Sequence, residues 1–163
     1  MIREANINDA RRIAEIEVES SKFAYKDILS PEIISEYSVE PRIPVYERWM
    51  NEKRFDLYVY EDDQTGEITG MMGIGMSEDE DKKSAFELHF IYMDPNHLRH
   101  GAGSKLIEFF EQKGRDKGIS EFVVWVLEKN ELAKSFYEKH GYKLDGKEKI
   151  FKRWNTREIR YVK

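Results

Sequence analysis

The alternation of apolar and polar positions is clearest between residues 55 and 128. FDLYVYED at 55–62 is strand-like, QTGE is a turn, and EITGMMGIGM at 67–76 resumes the extended pattern, which predicts a hairpin. SEDEDKKS at 77–84 breaks it as a loop; AFELHFIYMD at 85–94 is apolar enough for a central strand, closed by Pro95. From Ala102 the spacing of Leu106, Phe109 and Phe110 becomes helical, and Gly118 suits a position just past a helix C-terminus. EFVVWVLE at 121–128 reads as a continuous buried strand. Asn130 can cap a helix with Ala133, Phe136, Tyr137 and His140 on one face, ended by Gly141; YKLDGKEKIF and REIRYVK finish the chain as strands.

Upstream, IREA reads as a short strand, and Asn8 or Asp9 is expected to cap a helix carrying Ile13 and Ile16 and ending near Ser20. Residues 21–53 are less regular; Pro31 and Pro44 mark the starts of two helical pieces, the second with Val45, Tyr46 and Trp49. Phe23, Tyr25 and Trp49 are either pocket walls or core. No repeat, low-complexity run or linker divides the chain, so one α/β domain over residues 1–163 is expected. A chain of this length buries roughly two thirds of its unfolded surface without cross-links.

Composition narrows the chemistry. The chain has no cysteine, which excludes disulfides, thiolate metal sites and a cysteine nucleophile. A net charge of -5 argues against a nucleic-acid partner, since phosphate-binding surfaces need an excess of Lys and Arg. No run approaches the roughly 18 to 20 apolar residues of a membrane span, and MIREANINDA lacks a signal-peptide pattern, so a soluble, cytoplasmic protein without a membrane partner is expected.

The stretch NHLRHGAGSK joins the strand at 85–94 to the next helix. A strand, a glycine-bearing turn and a helix N-terminus make an anion site, because free N–H groups converge there and the helix dipole adds positive character. Gly101 and Gly103 allow close approach, and Arg99, His100 and Lys105 add charge, so the expected guest is a phosphate or pyrophosphate; a purely structural turn is the alternative. Gly70, Gly73 and Gly75 imitate such a motif, but they sit inside a strand ahead of Glu78, Asp79, Glu80 and Asp81 and read as close-packing or bulge positions. Ser104 lies in GAGSK and outside any G-x-S-x-G elbow, and His97 and His100 have no third ligand nearby, so no metal is expected.

Two blocks together resemble the GNAT superfamily of acetyl-CoA-dependent N-acetyltransferases. The loop Leu98, Arg99, His100, Gly101, Ala102, Gly103 resembles that family's Q/R-x-x-G-x-G/A motif, departing from it at Leu98. Asn130, Ala133, Phe136, Tyr137, Lys139, Gly141 and Tyr142 meet its N-x-x-A-x-x-F-Y-x-K-x-G-[FY] spacing. The resemblance covers residues 55–148 well, and the first 50 residues only in outline.

It implies an α/β fold with a mixed, mostly antiparallel sheet of six or seven strands, helices on both faces and a splayed central parallel pair. Residues 1–53 would form the acceptor side, 55–148 the acetyl-CoA-binding core and 149–163 a C-terminal strand. By the same resemblance, backbone groups at Ile91 and Met93 would meet the acetyl carbonyl and pantetheine, residues Leu98 to Ser104 would hold the pyrophosphate, and Asn130, Phe136 and Tyr137 would lie along the cofactor. Tyr137 would be the general acid, although it also sits on an apolar stripe; Glu87 would be the base, with His89 on the same face as the other candidate. The resemblance implies acetyl transfer to a primary amine of a small molecule or peptide, and the absence of cysteine excludes an acetyl-cysteine relay, which favours direct attack in a ternary complex. A non-catalytic coenzyme A sensor of the same fold is the alternative, and the sequence leaves a homodimer open.

Overall fold

The computed structural model describes residues 1–98 and 100–163; Arg99, assigned above to the phosphate loop, lies outside the described residues. Strand β1 (Ile2–Glu4) leads through a 3-10 turn into helices α1 (Ala10–Tyr25), α2 (Pro31–Glu36) and α3 (Ile43–Glu52). Strands β2 (Asp56–Glu61), β3 (Ile68–Met76) and β4 (Phe86–Met93) follow, then α4 (Ala102–Asp116), β5 (Phe122–Leu127), α5 (Glu131–Lys139), β6 (Lys143–Phe151) and β7 (Thr156–Val162). Among the described residues the seven strands form one sheet in the order β1-β2-β3-β4-β5-β7-β6, and only the β4–β5 pair is parallel.

Most elements fall where the pattern places them; the first helix differs. Neither Asn8 nor Asp9 caps α1 with its side chain. Asn6 instead accepts from the Asn8 amide, and the Asp9 carboxylate accepts from the Asn6 amide at 2.8 Å, a capping box around the 3-10 turn. Arg3 then grips Asp9 at 2.8 and 3.0 Å, tying that turn to β1. The helix also runs past Ser20 to Tyr25, because Ser21 stays on the buried face and the Tyr25 ring packs edge-on against Trp154 at 5.2 Å. Tertiary packing, which local pattern does not contain, extends it.

Each face of the sheet carries a core. On one, Leu106, Ile107 and Phe110 of α4 pack against Phe86, Leu88, Phe122 and Val124. On the other, Ile13, Ala14 and Ile16 of α1 and Tyr46 of α3 cover Leu57, Val59 and Met71. The glycines of β3 are the close-packing and bulge positions that the sequence suggests: a methyl at Gly70 would lie 2.7 Å from Met93, and one at Gly73 only 2.3 Å from Phe90.

One irregularity organises the site. Gly73 pairs with Phe90 and Ile74 with Leu88, so His89 is an extra residue that bulges β4. Parallel pairing with β5 stops at the same place, after Phe86, Glu87 and Leu88 meet Phe122, Val123 and Val124. Beyond it β4 stays with β3 as far as Met93, while β5 stays with β7 as far as Leu127, and a wedge opens between them.

Candidate active site

The wedge leads directly to the start of α4. Gly101 occupies the N-cap position in the left-handed region at φ +82°, which favours glycine, and no side chain caps the helix. The first helical bond runs from the Lys105 amide to the Gly101 carbonyl at 3.1 Å, so the amides of Ala102, Gly103 and Ser104 have no helical acceptor. Three bare amides at the positive end of a 15-residue helix suit an anion. Across from them, Ser104 Oγ lies 3.2 Å from His140 Nε2, linking α4 to the end of α5.

Wedge and helix start open into one cavity of about 680 Å³. Towards the start of α4 its lining includes Ile91, Met93, Leu98, Gly101, Ala102, Gly103, Ser104, Asn130, Phe136 and Tyr137. The structure thus gathers these ten residues of the sequence-derived set around one space. Asn130 also caps α5, accepting from the Ala133 amide at 3.1 Å, so both roles weighed for it are compatible. His100 is exposed and is not part of the wall. Tyr137 is 5 % exposed, and burial first, then the Tyr25 phenol, pushes its hydroxyl well above the ordinary tyrosine value. It keeps its proton at neutral pH.

Glu87 and His89 are placed differently from each other. His89 forms part of the wall, whereas Glu87 sits behind it, with Oε1 at 3.3 Å from His89 Nδ1. Glu87 Oε2 is buried without a hydrogen-bond partner among the described residues. Burial alone would raise the Glu87 carboxyl; His89 beside it outweighs that and holds it below its ordinary value.

The far half of the cavity lies on the α1 side and contains residues that the sequence reading did not single out. Tyr25 and Trp49 line it, as two of the aromatic candidates, while Phe23 is 45 % exposed and does not. Glu17 of α1 is buried there, accepting from the Tyr37 hydroxyl and from Arg42 Nε at 2.7 Å. The β6–β7 hairpin adds Phe151, Arg153, Trp154 and Glu158. The period-2 pattern of REIRYV places Glu158 and Arg160 on one face of β7, but only the tertiary fold shows that this face meets the cavity.

The acetyltransferase (GNAT) family model matches residues 22–142, well over half of the chain and spanning both the wedge and the start of α4. The chain belongs to this family. Among the relatives of this GNAT enzyme is the uncharacterised N-acetyltransferase YuaI of Bacillus subtilis (strain 168), 26 % identical over 129 residues that cover 79 % of this chain and 72 % of the relative. The spermidine N(1)-acetyltransferase of Thermoplasma acidophilum is 27 % identical over 149 residues, 88 % of each chain. The crystal structure of the PaiA N-acetyltransferase from Thermoplasma acidophilum in complex with coenzyme A superposes with a TM-score of 0.75 at 24 % identity, covering 98 % of this chain and 96 % of the other. That likeness extends the shared fold over nearly the whole GNAT chain, including the first 50 residues.

Proposed function

We propose that the protein transfers the acetyl group of acetyl-CoA to a primary amine of a small molecule or peptide, by direct attack in a ternary complex. The observation that carries this reading is the continuity of three features in one cavity: bare amides at the start of α4, the β4–β5 wedge, and the protonated Tyr137 hydroxyl. The spermidine acetyltransferase relative acts on an amine, and the PaiA structure holds coenzyme A, which supports both the acceptor class and the cosubstrate.

The fit to acetyl-CoA rests on this chain's own groups. The Ala102, Gly103 and Ser104 amides suit a diphosphate, and the β4 edge beyond Leu88, which has no strand partner on its β5 side, suits the amides of a pantetheine arm. Acetyl-CoA supplies an acetyl group activated as a thioester. Tyr137 holds a proton at its hydroxyl for the departing sulfur. On the acceptor side, the His89 imidazole takes the amine proton, and Glu87 at 3.3 Å orients the ring and stabilises its charged form. With no cysteine in the chain, no acetyl-cysteine relay is available.

Positioning dominates the rate. Alignment of two bound reactants contributes up to about 7–11 kcal/mol, against the roughly 10²- to 10⁴-fold of acid–base assistance. The test is thiol release from acetyl-CoA over a panel of amines, with the native protein, Tyr137→Phe, His89→Gln and Glu87→Gln. Each change should lower kcat by about tenfold or more while acetyl-CoA Kd stays within about twofold. If none of the three slows turnover tenfold, the assigned roles are wrong.

A further inference from the structure

We infer that the acceptor is a zwitterion, a small amino acid with an apolar or aromatic side chain, held between Glu158 and Arg153. This deepens the acetyl-transfer reading and rests on it.

Four charged side chains line the α1 half of the cavity: Glu17, Arg42, Arg153 and Glu158. Glu17 is satisfied, because one of its oxygens accepts from Tyr37 and the other from Arg42 Nε at 2.7 Å, and the same ion pair offsets the Arg42 charge. Glu158 and Arg153 are left to face a ligand. The Glu158 side chain is 15 % exposed, and its nearest cation, Lys149, stands 3.9 Å away. Arg153 forms no ion pair with any described residue; its guanidinium instead lies 4.7 Å over the Tyr37 ring and 5.6 Å over Trp154. An arginine held on aromatic faces keeps its donors free for a carboxylate, which it can grip with two parallel N–H groups.

Both residues come from one hairpin. Arg153 sits in the turn between β6 and β7, and Glu158 is two positions along β7 from Thr156, where the strand begins. A strand rises about 3.4 Å per residue, so their backbones stand on the order of 10 Å apart. Two long side chains reaching inward would leave a shorter span for the amine and carboxylate of one amino acid to bridge. Tyr25, Tyr37, Trp49 and Trp154 supply apolar walls for its side chain. A polyamine matches this half poorly, since an outer ammonium group would meet Arg153. Although one relative acetylates spermidine, this chain is inferred to prefer another substrate class.

The experiment compares kcat/KM for phenylalanine, methionine and leucine with that for their decarboxylated amines and for spermidine, using thiol release by the full chain. The amino acids should exceed their decarboxylated partners at least tenfold. Arg153→Gln should collapse that ratio through KM, and Arg153→Lys should restore part of it. Equal or better turnover of spermidine or of the decarboxylated amines, or an Arg153→Gln ratio that does not change, would overturn the inference. If no amine releases thiol at all, it is the transfer reading that fails. Calorimetry of phenylalanine with the coenzyme A-saturated protein then decides the acceptor question: binding weakened tenfold by Arg153→Gln supports it, and no binding refutes it.

Discussion

A methyl group built on Gly103 would touch the Phe136 ring at 3.5 Å, ordinary van der Waals contact, so the first turn of α4 already rests against α5. Gly101, two residues earlier, has nothing within 4 Å of such a methyl but holds φ at +82°. Of the two glycines of the loop, Gly101 is therefore held by its backbone conformation, while Gly103 has room for a methyl group. Gly103→Ala should fold normally and keep acetyl-CoA affinity within about threefold. Gly101→Ala should cost about 1–2 kcal/mol of backbone strain and weaken acetyl-CoA binding more than Gly103→Ala does. Paired melting and calorimetry check this, and equal effects would contradict it.

Gly73 has no room for a side chain, because a methyl there would sit 2.3 Å from Phe90, a ring in the cavity wall. Gly73→Ala must displace that ring at the bulge where the wedge begins. A loss of roughly 1–3 kcal/mol is expected, which lowers Tm by about 2–4 °C per kcal/mol in a chain of this size. The KM for the acceptor should rise as well; a variant with unchanged Tm and KM would show that the ring moves freely.

The two glycine positions mark how far the sequence was legible. Gly101 and Gly103 announce themselves because a glycine turn before a helical pattern has a chemical use, whereas Tyr137 stands out from its apolar stripe only because the block from Asn130 to Tyr142 resembles the family's motif. The strands β3, β4 and β5 could be read because they are nearly continuous apolar runs, while the parallel pairing of β4 with β5 was implied only by the family resemblance. The separation of Glu87 from the cavity could not be read, since it follows from one extra residue, His89, in the β3–β4 register. Arg153 and Glu158 escaped for a related reason: a charged residue near the end of a hairpin reads as solvated surface until the far end of α1 is seen to pack on Trp154.

Arg160 is 2 % exposed and binds Asp79 at 3.0 Å, Asp81 at 2.7 Å and Asp145 at 2.8 Å; Asp79 in turn accepts from the indole of Trp125, another wall residue. Arg160→Met removes the only cation that bridges these three carboxylates among the described residues. A cost of about 1–3 kcal/mol is expected, less than for a fully buried pair because the Asp81 side chain is 46 % exposed. Adding Asp79→Asn and Asp81→Asn to that variant should recover part of the lost Tm. If it recovers nothing, repulsion among the carboxylates is not what destabilises the single variant.

Acid should destabilise the fold. Burial would raise Asp9, Asp94 and Asp145, but Arg3 and the Asn6 amide, the Asn96 amide and Arg12, and Arg160 and the Lys147 amide respectively outweigh it and hold all three below the ordinary 3.8. The folded state then binds fewer protons than the unfolded one, so these groups stabilise it above pH 3.8 and lose that effect as pH falls further. Burial also holds His140 below its ordinary 6.5, which adds a loss of the same sign beginning as pH drops through that value. Calorimetric Tm should decline from pH 7 towards pH 3, most steeply below about pH 4. A Tm that rises on acidification would contradict these assignments.

The most direct test of the whole account is a crystal structure of the protein with acetyl-CoA. The account predicts the diphosphate against the amides of Ala102, Gly103 and Ser104, the pantetheine arm between β4 and β5, and the thioester sulfur within reach of the Tyr137 hydroxyl. A cofactor bound elsewhere, or a Tyr137 hydroxyl turned away from the sulfur, would contradict it.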